Sequence, residues 1–239
     1  MRSLAQHLKS EFISGTLRGW LMSGRYRPQD RLRETEIATK LGVSRTPVRL
    51  AFAELARDGL LEYEPNKGYR VRSFSKDAID TAYELRETIE GMAAFRAANM
   101  GLSQSDLLKL DKCILETDGL LARDEVTERE IELWQEANGV FHETIIAAAQ
   151  DDLISEIIQR LNNVPLVSAR SFPFTDATIV EFKNVIRKSQ REHRGILDAI
   201  VRRDSPQASK LMASHLREAS ENLLIQVARA STATEVQTG

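Results

Sequence analysis

A chain of 239 residues, 42% of them hydrophobic, can fill one large core or two modest ones. It has no apolar run near the roughly 18 to 20 residues of a membrane span, and no apolar N-terminal stretch that predicts a secretory leader. The single cysteine, Cys113, cannot form an internal disulfide, which fits a cytoplasmic protein and a packing role for that residue. The net charge of −2 hides a division: residues 1–73 hold 14 Lys and Arg against 8 Asp and Glu, while the remainder holds 19 against 27. A basic piece on an acidic remainder predicts one nucleic-acid-binding domain and one domain with another task.

Leu4, Leu8, Phe12, Ile13, Leu17 and Leu21 predict a first helix with one apolar stripe, ending near Gly24. Residues 25–31 read as a basic loop punctuated by Pro28. Ile37, Ala38 and Leu41 give a short second helix, and Val48, Ala51, Phe52, Leu55 and Ala56 a third. Gly42 suits the left-handed position that ends one helix, Ser44 suits the N-cap of the next, and Pro47 falls in its first turn. Residues 60–64 and 69–72 read as two strands around the turn Pro65-Asn66-Lys67-Gly68. Three helices and a hairpin make a winged helix-turn-helix, whose third helix can enter a DNA major groove.

The predicted contacts with double-stranded DNA follow from that placement. Arg45, Thr46 and Arg49 offer guanidinium forks and a hydroxyl at the start of the recognition helix, beside Ser44 and the free helix-end N–H groups. Arg33 and Thr35 at the start of the preceding helix, and Lys67 and Gly68 at the hairpin tip, complete the set. Taken alone, the same residues also fit solvated ends of an ordinary helical hairpin. The words GVSRTPVR and LARDGLLEYEPNKGYRV, however, closely resemble the DNA-binding domain of the GntR family of bacterial transcription regulators, over about residues 4–72. One departure is that Leu50 follows Arg49 where the family pattern has Glu.

Ser73-Phe74-Ser75 is a short linker, with Ser75 as the next N-cap. Everything after it reads as helix, near 76–100, 103–122, 127–149, 151–169, 176–203 and 205–229. Pro165 and Pro173 mark an irregular stretch, and residues 230–239 lack an apolar pattern and are expected to be disordered. The expected fold is therefore mainly α: a DNA-binding domain over 1–73 and an all-helical domain over 77–229.

Polar residues on the inner stripes of this second domain are its informative feature. One stripe runs Ile131, Trp134, Asn138, Phe141/His142, Ile145, and another Ile186, Ser189, His193, Ile196, Ile200. A third carries Ala208, Met212, His215 and Ala219. His193 and His215 each lie eleven residues from the turn at Asp204, so an antiparallel pair sets both about 16 Å from it. Asn138 and His142 share a helical face. Three imidazoles and an amide can bind a divalent transition metal and leave room for water or ligand, or can equally be hydrogen-bonded core residues. Arg86 lies on the inner stripe of the helix over 76–100, where a buried guanidinium needs an anion. That anion is either a Glu from a neighbouring helix or an effector carboxylate; Arg170 is a second, weaker anion-binding candidate.

Asn138-x-x-Phe141-His142, Glu192-His193 with Ile196-Leu197-Asp198, and Met212-x-x-His215-Leu216 resemble the FCD ligand-binding domain of the FadR subfamily, over about 77–228. The resemblance implies a dimeric regulator with zinc or nickel at Asn138, His142, His193 and His215. It also implies an effector held by those residues together with Arg86. Many members have Asp where this chain has Asn138, so weaker metal binding is expected. The run Arg86-Glu87-Thr88-Ile89-Glu90-Gly91-Met92-Ala93-Ala94, with Asn138, is similar to the vanillate-responsive VanR branch, which suggests an aromatic carboxylic acid. The reading is a homodimeric repressor on a palindromic operator, released by a small acid. Its rivals are a direct metal sensor and a metal-dependent hydrolase, the latter disfavoured because Glu143 lies beside the stripe, no other obvious general base is tied to the histidines and the helix-turn-helix would go unexplained.

Overall fold

The structure is a computed structural model that describes residues 12–21, 25–65, 67–123, 127–164 and 179–237. The first part of the expected N-terminal helix, Asn66, Pro165, Arg170 and Pro173 lie outside the described residues. The chain divides into two compact units near Ile79.

The first unit contains α1 (12–21), β1 (Arg31–Leu32), α2 (Glu34–Leu41), α3 (Arg45–Arg57), β2 (Leu61–Glu64) and β3 (Gly68–Val71). Gly42 closes α2 at φ 63°, a left-handed conformation that costs glycine no Cβ clash, and its N–H bonds back to the last turn. Ile13, Leu17, Ile37, Val48, Phe52, Leu55 and Val71 form one core, with Tyr69 edge-on to Phe52 at 5.3 Å. The sheet order is β1-β3-β2, all antiparallel, with Arg31 opposite Arg70 and Tyr63 opposite Tyr69. β1 corrects the expected loop over 25–31. Two residues carry no strand periodicity of their own, and they are held by backbone bonds between Asp30, Gln29 and Val71. Ser44 has the extended N-cap conformation but its side chain makes no capping bond.

The second unit is all helical: α4 (Lys76–Met100), α5 (Gln104–Leu121), α6 (Glu128–Ala148), α7 (Asp152–Leu161), α8 (Ile179–Val201) and α9 (Ser205–Gln237). Caps set several boundaries. Ser75 Oγ accepts from Ala78 N–H, Ser103 Oγ from Asp106 N–H, and Thr127 forms a capping box with Glu130. Asp204 rather than Ser205 caps α9, accepting from Gln207 N–H, while the Ser205 hydroxyl donates to Asn99. Two boundaries differ from expectation. α7 stops at Leu161 rather than near 169, where Asn162 and Asn163 are poor helix formers and Pro165 disfavours helix before it. α9 continues to Gln237, so the stretch expected to be disordered is helical that far; its Ala and Glu residues support helix without an apolar stripe.

Leu110, Phe141, Ile145, Ile196, Ile200, Ala208 and Met212 make the central core of this unit. α4 contributes mainly alanines, so it lies close to its neighbours. At Gly91 a Cβ would sit 3.3 Å from Ser209 Oγ and 3.4 Å from the Ser209 carbonyl, so a larger residue would need α9 to give by a few tenths of an ångström. The residue before it, Glu90, is fully buried.

Candidate functional site

Three helices bring three histidines together at the centre of the second unit. His142 from α6, His193 from α8 and His215 from α9 are 3%, 4% and 5% exposed, and one ring nitrogen of each lies within 4.8 Å of the others. His193 Nε2 and His215 Nε2 are 3.3 Å apart, level across the α8–α9 hairpin. His193 also stacks on Phe141, with ring centroids 4.0 Å apart.

Two carboxylates orient the imidazoles. Glu90 Oε2 is 2.6 Å from His142 Nδ1, and Glu192 Oε2 is 2.7 Å from His215 Nδ1. A carboxylate accepts, so Nδ1 of His142 and of His215 is placed to donate. Burial alone would raise the Glu90 carboxyl, but the Arg86 guanidinium and His142 beside it hold it down at about 2. Burial pushes His142 below the ordinary imidazole value, against the pull of Glu90, and pushes His193 well below it with help from the neighbouring imidazoles. Burial thus favours the neutral form of His142 and His193, the state that ligates metal.

The donor set fits a divalent metal ion. Imidazoles at a usual metal–nitrogen distance of about 2.1 Å stand about 3 to 3.4 Å from one another around the ion, as His193 and His215 do. Carboxylates on the remote nitrogens are the usual outer support of such ligands. Asn138, one turn before His142, is 8% exposed and lines the same cleft. That cleft lies between Tyr83, Arg86, Trp134, Lys188, Glu192 and Asn222 and encloses about 60 Å³, room for a few water molecules or ligand atoms beside the imidazoles.

Arg86 is 3% exposed and reaches Glu90, one turn along its own helix, at 2.6 Å, so a carboxylate of α4 itself faces its charge. Glu90 and Glu192 stand in the quoted motifs but were given no role there. Glu90 could have been found as the residue four after Arg86 on the same inner face. Glu192 adjoins His193 in the chain but serves His215, because α8 and α9 run antiparallel.

In the first unit, Ser44, Arg45, Thr46 and Arg49 are exposed at the start of α3, and Arg33 and Thr35 at the start of α2. Arg45 also reaches Glu34 at 3.1 Å. At the hairpin, Gly68 has φ 86° and Lys67 lies 3.5 Å from Glu64. Arg70 bridges Glu62 and Glu64 at 2.9 and 2.8 Å, so it braces the hairpin.

Comparison with known proteins divides the chain at the same place. Residues 9–71 match the bacterial regulatory proteins of the gntR family, and residues 81–218 match the FCD domain. The HTH-type transcriptional repressor RspR of Escherichia coli is 27% identical over 197 residues, covering 82% of this chain and 80% of its own. The HTH-type transcriptional regulator YdhC of Bacillus subtilis is 24% identical over 87% of each chain. Among solved structures, E. coli McbR/YncC superposes with a TM-score of 0.73 at 21% identity, covering 92% of this chain and 98% of that one.

Proposed function

Because the chain belongs to the gntR family of DNA-binding transcription regulators and carries an FCD domain, we propose that it is a repressor controlled through its buried three-histidine site. It is a DNA-binding regulator and not an enzyme, so the hydrolase alternative falls away. In this reading residues 1–73 bind the operator through Arg33, Thr35, Ser44, Arg45, Thr46, Arg49, Lys67 and Gly68. Residues 77–229 hold the ion and the effector and pair two copies, so that two recognition helices meet a two-fold related operator in the cytoplasm. No described helix is long and apolar enough to cross a membrane.

The observation that carries the metal reading is the pair of carboxylates fixing Nδ1 of His142 and His215, which turns their Nε2 atoms toward His193. Zinc or nickel would be held by His142, His193 and His215 with Asn138, and would supply a Lewis-acidic anchor for a ligand oxygen. The effector is a small carboxylic acid, with an aromatic, vanillate-like acid the first to test. Arg86 and, from outside the described residues, Arg170 stand as its further partners. By linkage, an acid that lowers operator affinity binds the DNA-bound protein less well by the same factor.

The alternative is a direct metal sensor, in which the ion itself is the signal. Elemental analysis of the purified chain tests the metal site itself. About one ion per chain, lost in the His142→Ala, His193→Ala and His215→Ala variants, is expected; a metal-free protein that takes up neither zinc nor nickel contradicts it. Operator affinity that follows the ion alone, with no response to carboxylic acids, would favour the sensor.

A further inference from the structure

We propose that Leu50 reads the methyl group of a thymine in the operator, and so sets base preference beside the arginines. The proposal rests on α3 acting as the recognition helix. α3 buries Pro47, Val48, Ala51, Phe52 and Leu55 in the core of the first unit. Leu50 belongs to the opposite face and is 49% exposed.

Single exposed leucines are common and need no explanation by themselves. The surroundings of this one are what matter. Thr46, Arg49, Leu50 and Ala53 stand at i, i+3, i+4 and i+7, which is one helical face, and all four are exposed. Ser44 makes no capping bond, so this end of α3 also presents its first N–H groups to an anion. Cation, hydroxyl and helix end are suited to phosphates and guanine edges. Leu50 with Ala53 is suited to neither. On the edges of the major groove the apolar feature is the C5-methyl of thymine. Seated against it, Leu50 removes from water a surface that is otherwise left exposed.

The test uses the full chain and duplexes it selects from a random-sequence pool. In the selected duplex each thymine is replaced in turn by deoxyuridine, which deletes only the methyl group. At one thymine for each bound recognition helix, this replacement is expected to weaken wild-type binding about fourfold. Leu50→Ala, which removes no core contact, is expected to bind the two duplexes equally. Leu50→Glu is expected to select a different base at that position. Wild-type protein indifferent to every deoxyuridine, or Leu50→Ala showing the wild-type losses, overturns the proposal while leaving DNA binding intact. A pool that yields no enriched sequence overturns the recognition-helix reading and this proposal together.

Discussion

Glu90 and His142 meet at 2.6 Å although 52 residues separate them, and the same carboxylate holds Arg86 on its other side. This buried relay from α4 to α6 ties the helix carrying Arg86 to the histidine cluster. Glu90→Gln keeps the shape and removes the charge. It is expected to weaken metal binding about 10- to 100-fold in a chelator competition. It also takes from buried Arg86 the carboxylate that meets it at 2.6 Å, so the metal-free protein is expected to unfold at lower urea.

Glu192 performs the same service for His215 but stands at the cleft, 24% exposed on its side chain. Glu192→Gln is therefore expected to lower metal affinity by a similar factor while shifting the unfolding midpoint of the metal-free protein little. A variant equal to Glu90→Gln in both assays would contradict this separation of roles.

Acid should destabilise the metal-free protein early. His142 and His193 are held below the ordinary imidazole pKa in the folded chain, so below about pH 6.5 the unfolded chain binds protons that the folded one does not. Stability is full above that pH and falls as pH drops toward the folded values. Urea midpoints measured across this range should show the slope, and His193→Leu should flatten it.

At the proposed DNA-binding surface, Arg49 forms no salt bridge among the described residues, whereas Arg45 is shared with Glu34. If Arg49 reads a guanine, Arg49→Ala costs about 1–3 kcal/mol on a selected operator and much less on unrelated DNA. Arg70→Ala should instead loosen the hairpin, lowering thermal stability, because its guanidinium is spent on Glu62 and Glu64.

Much of this was legible in the chain before folding. Gly42, the apolar spacing around Val48 and Phe52, and the turn at Asp204 are local signals, and local signals survive into the fold. The level placement of His193 and His215 followed from counting residues along two antiparallel helices. What escaped was decided by partners distant in sequence. β1 exists because β3 lies beside it, and Glu192 serves His215 because of the hairpin, not because of its neighbour His193. For Arg86 a Glu on a neighbouring helix was weighed, while Glu90, one turn along the same inner face, went unread. Ser44 has the residue type and backbone of a cap but leaves the capping bond unmade, a choice that residue type alone does not settle.

The central claim is that the histidine site governs operator affinity. Fluorescence anisotropy of a selected, labelled duplex at fixed salt tests it most directly, with zinc-loaded protein titrated in the presence and absence of vanillate and other small carboxylic acids. The account predicts tight binding that one such acid weakens, and no weakening for His142→Ala. Operator binding that neither an acid nor the metal changes, in wild-type and variant alike, would contradict it.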